Sequence, residues 1–230
     1  ALGEGMLIAV LDAGFVGANS ITINDQLKTT TTRNFVEGGT NVYQGSSHGF
    51  SVLSTMASYQ PEVFIGTAPQ ASYALIKTEK ELSETPEEMF NWIAGAEFAD
   101  SIGADIINSS LGYSTFDDPA DDYTVADLDG RTSIISLGAV AAARTGMLVV
   151  TSAGNAGGSS WDKITFPADA DSICTVGAID SLNKLVVDLK LESDDNFILD
   201  IENNSTITVG GDQNETITGD YNLTVCPGDF

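Results

Sequence analysis

The stretch Leu7-Ile8-Ala9-Val10-Leu11-Asp12-Ala13-Gly14 decides the fold. An apolar run between Gly5 and Gly14 suits a strand buried on both faces, as in a parallel sheet. It delivers one carboxylate to a glycine-terminated turn. That is the carboxyl edge, where open α/β sheets place ligands and chemistry. The plain alternative for Asp12 is a turn residue capping the next segment. Stretches around His48 and Asn155 shift the balance toward chemistry.

Further along, strands and helices alternate. The polar, Thr-rich stretch from Gly17 to Gly39 reads as a loop with short extended pieces. Ser46-Ser47-His48-Gly49 precedes Val52, Leu53, Met56 and Ala57 at helical spacing, with Ser47 as the expected cap and His48, the sole histidine, in the first turn. Ala71 to Lys77 reads as a buried strand. Thr85-Pro86-Glu87-Glu88 combines an N-cap, Pro at the first helical position and Glu at the third. Met89, Trp92, Ile93 and Ala96 form that helix's inward face, and Gly103 ends it. Asp105 to Gly112 is a third strand, Ile134 to Arg144 a buried helix, Met147 to Val150 a fourth strand, and Ile173 to Ile179 a further one. The expected fold class is therefore α/β, a parallel sheet with crossover helices on both faces. Asp12, Ser110 and Asn155 gather where its strands end.

Composition narrows the partners. The 230 residues carry 33 acidic against 9 basic groups, a net charge of −24, which excludes nucleic acid and anionic membrane surfaces as default partners. No apolar run reaches the roughly 18 residues of a membrane span. No signal-like segment opens the chain, so any leader or pro-segment is expected upstream and Ala1 to mark a processed or excised product. Asp117, Asp118, Asp121, Asp122, Asp127 and Asp129 suit a solvated loop. Their spacing matches no EF-hand; calcium is the one candidate ion, and no metal ligand or cofactor is assigned. Cys174 and Cys226 could pair, but Cys174 fits better as a small buried apolar residue.

IAVLDAGF (8–15), SSHGFSVLS (46–54), GADIINSSLGY (103–113), GMLVVTSAGNAGGSSW (146–161) and FPADADSICTVGAID (166–180) together resemble the catalytic domain of subtilisin-like serine proteases, especially forms from Bacteroidetes-type bacteria. The resemblance implies a subtilisin-like fold over residues 1–180. It implies that Asp12 orients and supports His48, that His48 is the general base, and that Asn155 aims its amide at the oxyanion. Ser110, Leu111, Gly112, Ala153 and Gly154 would line the cleft for a polypeptide substrate. A secreted or cell-surface bacterial location is the corresponding expectation. Two departures are Ala13, where Ser or Thr is usual, and bulky Phe50 beside His48. The larger departure is that no Gly-Thr-Ser-x-x-Ala-x-Pro stretch follows Asn155. Ser159 and Ser160 lie too near Asn155, and Ser172, Ser181, Ser193 and Ser205 lack the glycine turn and apolar helix. No catalytic serine is assigned. A missing serine helix should expose apolar surface near Val10 and Val149, to be covered by a further segment or chain.

From Ser181 the pattern changes. Leu185, Val187, Leu189 and Leu191 alternate with polar residues, and a register of eight relates Val209, Ile217 and Val225. Residues 181–230 therefore read as a β-rich tail with octad-like repeats, or equally as paired hairpins. Three functions compete: a secreted subtilisin-like endopeptidase whose serine-bearing part is expected to be missing from this chain, a non-catalytic descendant that binds peptide in the old cleft, and a structural or adhesive β-repeat protein carrying a protease-like domain. Asp12, His48 and Asn155 together favour the first, because a binder needs none of them.

Overall fold

A computed structural model describes residues 2–20 and 27–178. The backbone divides into a unit Ala1–Gly177 and a second unit Ala178–Phe230. The tail strands, the octads, Cys226 and the division near residue 180 lie on or beyond the edge of the described residues.

The first unit is a six-stranded parallel sheet. Its strands are β1 (Leu7–Asp12), β2 (Lys28–Asn34), β5 (Ser72–Lys77), β6 (Ile106–Ser109), β7 (Leu148–Ser152) and β8 (Cys174–Val176), in the order β2-β5-β1-β6-β7-β8. β3 (Tyr59–Gln60) and β4 (Phe64–Ile65) form a separate small hairpin. The apolar run 7–11 takes an interior place and pairs on both sides, Leu7 with Ser72 and Ile8 with Ile106.

Two-residue alternation sorts the sheet into two faces. Ala9, Leu11, Ile76, Ile107 and Val149 meet Met89, Trp92 and Ala96 of α2 (Pro86–Ser101) and Ile135, Ala139 and Ala142 of α3 (Ile134–Arg144). Ile8, Val10, Tyr73 and Leu75 meet Leu53 and Ala57 of α1 (His48–Ala57). Burying Leu53 there contributes about 2 kcal/mol. Glu88 closes the start of α2 by accepting the Thr85 N–H at 3.1 Å. Helices on both faces give the α/β arrangement expected from the sequence.

Four details differ from the sequence reading. Residues 28–34 are a continuous edge strand rather than short pieces, since four β-branched threonines suit a strand with little apolar content. Ser46, not Ser47, caps the first turn of α1: its Oγ accepts the His48 N–H at 3.1 Å, while Ser47 has helical backbone angles and makes no side-chain cap. Cys174 is exposed rather than packed, because β8 is the outermost strand. Val10 and Val149 are fully covered, by α1 and by the α2–α3 layer. On the strands of the six-stranded sheet the bare large apolar positions are instead Leu148 and Val176, both about half exposed. Register places them on the α1 face, beyond the reach of α1.

Candidate active site

Because the strands are parallel, Asp12, Ser109 and Ser152 all end on one edge of the sheet. Adjacent strands lie about 4.8 Å apart, so β1 and β7 bring their ends within about 10 Å. Asp12 is fully buried, and its Oδ1 accepts the Ala13 N–H at 2.8 Å. His48 opens α1 directly above it. Its Nδ1 lies 2.8 Å from Oδ1 and 3.0 Å from Oδ2 of Asp12, while half of its side chain stays in solvent.

Gly49 makes this approach feasible. A Cβ there would stand 2.6 Å from the Gly14 carbonyl oxygen and 2.7 Å from the Asp12 Cβ, so any larger residue lifts α1 off the strand end. Phe50 turns its bulk away, packing partly buried against the Val10–Leu53 cluster. The departure at that position therefore falls on the core.

Burial raises the Asp12 carboxyl above its ordinary value, opposed by the hydrogen bond and charge of His48. The hydrogen bond to Asp12 raises His48, opposed by partial burial. Since Asp12 accepts at Nδ1, the imidazole holds its proton there and leaves Nε2 free to act as a base.

The residues expected to line a cleft come from the next two strand ends. The Ser152 hydroxyl donates to the Leu111 carbonyl at 3.3 Å. Tyr113 and Phe166 exchange both backbone hydrogen bonds at 2.9 Å, and the Thr165 N–H donates to the Ala153 carbonyl at 3.1 Å. Segments 110–113, 152–154 and 165–166 are thus tied into one wall system. Thr165 sits between the glycines, its Oγ1 2.1 Å and 2.3 Å from where a Cβ at Gly112 or Gly154 would stand. Asn155 follows β7 as an exposed residue leading into a short 3-10 turn, Ala156–Gly158.

Thr165, Tyr113 and Phe166 were not singled out from the sequence; the Phe166-Pro167 punctuation was their one visible signal. Three carboxylates of the 116–129 loop are engaged locally. Asp122 accepts from the Phe116 N–H, Asp127 from Thr124, and Asp129 from Arg131 and Thr132. Among the described residues no group of three His, Cys, Asp or Glu is arranged to hold a metal ion, and no helix is long and apolar enough to cross a membrane. A hollow at the opposite edge of the sheet, lined by Met6, Asp105, Gly146 and Leu148, contains none of these site residues.

A profile described as the Subtilase family matches residues 3–225. The chain belongs to the subtilase family. It is 32% identical over 186 residues to Subtilisin E of Bacillus subtilis strain 168, covering 79% of this chain and 43% of that protein. Against Subtilisin of Bacillus pumilus the identity is 31%, covering 79% and 59%. This subtilase chain thus spans about half the length of those relatives. The structure of the psychrophilic subtilisin-like protease Apa1 from the Antarctic psychrotroph Pseudoalteromonas sp. AS-11 superposes with a TM-score of 0.55 at 25% identity, over 78% of this chain and 37% of that one. The self-cleaved protease domain of PatA shares the fold, with a TM-score of 0.60 at 22% identity over 81% and 63%.

Proposed function

We propose that this chain carries the Asp- and His-bearing part of a secreted subtilisin-like serine endopeptidase that cleaves peptide bonds. The observation that carries the reading is the buried Asp12 carboxylate 2.8 Å from Nδ1 of a half-exposed His48. Asp12 fixes the imidazole tautomer and supports the imidazolium that forms. His48 takes a serine's proton through Nε2 and returns it to the leaving amine. Asn155 donates its side-chain amide to the tetrahedral oxyanion. Ser110–Gly112 and Ala153–Gly154 pair with the backbone of an extended polypeptide.

No serine of the 230 residues stands in a Gly-Thr-Ser-x-x-Ala-x-Pro setting, so residues 1–230 alone are expected not to hydrolyse peptides. In subtilisin, removing the nucleophile lowers turnover by about 2 × 10⁶. The test is incubation of purified 1–230 with casein and with a fluorophosphonate probe. No serine labelling and no cleavage is the expected result. Serine labelling together with cleavage abolished by His48→Ala would overturn it.

The peptide-binding descendant is the second reading, supported by the tied walls 110–113, 152–154 and 165–166, which need no nucleophile. Measurable binding of an extended peptide, unaffected by His48→Ala, would favour it.

A further inference from the structure

Two residues past β5, Glu79 is a carboxyl with 6% exposure. Its Oε1 accepts the phenol O–H of Tyr113 and, at 3.1 Å, the hydroxyl of Thr78. Tyr113 is itself 1% exposed and directly continues the segment Ser110–Gly112. Through its paired backbone bonds to Phe166 it also joins the opposite wall. One side-chain hydrogen bond therefore links the end of β5 to the proposed cleft.

We propose that Glu79 is a positioning residue, holding the wall Ser110–Gly112 in register through the Tyr113 phenol, and that this clamp opens when the Glu79 carboxyl ionises. The proposal rests on the peptide-cleft reading above.

Besides the phenol and the Thr78 hydroxyl, the charged groups that act on Glu79 are acids, Glu88 and Glu84, with Asp117 beside those two in turn. Glu84 and Glu88 come from the approach to α2 and its first turn. Asp117 comes from the segment after Tyr113 and accepts the Glu84 N–H at 3.2 Å. Glu88 is spent on the N–H groups of Lys80 and Thr85. The neighbouring cations are engaged elsewhere, Lys80 with Glu87 at 2.6 Å and Lys77 with Glu37 at 2.9 Å.

Burial, then repulsion from Glu88 and Glu84, outweigh the phenol and hydroxyl hydrogen bonds and raise Glu79 to about 8; burial first, then Glu88 and Asp117, raises Glu84 to about 7. Burial and Glu79 push Tyr113 well above its ordinary value, so the phenol stays a donor. The closed clamp thus holds a protonated Glu79, whereas a solvated Glu79 ionises near its ordinary 4.5. Between those values each opening releases one proton. Opening therefore becomes about tenfold more favourable per pH unit and levels off above about 8.

Amide hydrogen exchange of residues 111–117, corrected for intrinsic rates, measures the opening across pH 5–8. In the unaltered chain protection should fall about tenfold per pH unit, more steeply where Glu84 contributes. Glu79→Gln, which keeps an acceptor for the phenol without a titrating group, should lower that slope by one decade per pH unit. An unchanged slope would overturn the clamp.

The positioning role is read at His48 by alkylation, in which Nε2 displaces chloride from acetyl-Ala-Ala-Ala chloromethyl ketone. The rate is taken relative to iodoacetamide, which needs no cleft. Glu79→Ala and Tyr113→Phe should lower this ratio at least fivefold, and Glu79→Gln should restore it. Exchange that responds while the ratio stays constant would overturn the positioning role. A ratio showing no peptide preference in the unaltered chain would overturn the peptide-cleft reading itself, leaving the exchange result to decide the clamp.

Discussion

Asp12, the last residue of β1, and Glu79, two residues past the adjacent β5, are both buried carboxyls, yet their settings oppose each other. Asp12 faces an imidazole that becomes a cation and a backbone N–H that favours the anion. Glu79 faces a phenol that does not ionise and a group of further acids. Burial pushes both upward. At Asp12 the partner opposes burial, and at Glu79 like charges reinforce it. The nearest charge, rather than depth, separates a carboxylate suited to a base from an acid kept neutral.

The largest expected effect removes the difference at Glu79. Its folded value is raised, so its contribution to stability is full below about 4.5 and is lost as pH rises to about 8. Glu79→Gln should therefore match the unaltered chain near pH 4. It should gain about 1.4 kcal/mol per pH unit above 4.5, a few kcal/mol by pH 7. Urea denaturation at several pH values checks this, and equal stability at pH 7 would refute it.

Next, Gly49→Ala should break the other side. The new methyl meets backbone and the Asp12 Cβ, so the expected loss is about 3 kcal/mol together with separation of His48 from Asp12. Thermal melts and the imidazole resonance read both effects. Tyr113→Phe at pH 6, which removes the donor but leaves Glu79 neutral, should cost about 1–2 kcal/mol in the same melts.

The smallest effect is a shift at one histidine. Asp12 raises His48, so their pairing contributes fully below the ordinary value near 6.5 and is lost as pH rises through the folded value. Asp12→Asn should move the His48 titration downward. Because the protein has one histidine, its imidazole proton signals report it without assignment. No downward shift would mean the contact carries no charge.

The sequence revealed the elements whose own residues enforce them. β1 is apolar from Leu7 to Leu11 because both faces are covered, and α2 announces itself by Thr85, Pro86 and Glu88. Asp12 and His48 were legible because glycine follows soon after each, marking turn and close approach. Edge strand β2 was not, since its threonines fit loop and strand alike. Nor was the Glu79–Tyr113 contact, which joins residues 34 apart in sequence and depends on sheet order rather than spacing. Cys174 misled because an apolar neighbourhood in sequence says nothing of whether a strand ends up outermost.

The central place of β1 also sets a timetable. Its two neighbours lie roughly 65 and 100 residues further along the chain. At a synthesis rate of about 5–20 residues per second, the nascent strand that bears Asp12 waits on the order of 5–20 seconds for its second partner to leave the ribosome. During that interval an apolar ribbon with at least one open hydrogen-bonding edge must be kept from pairing with other chains. The residue order that makes the first strand the hub of the sheet thus gives it the longest wait for full enclosure.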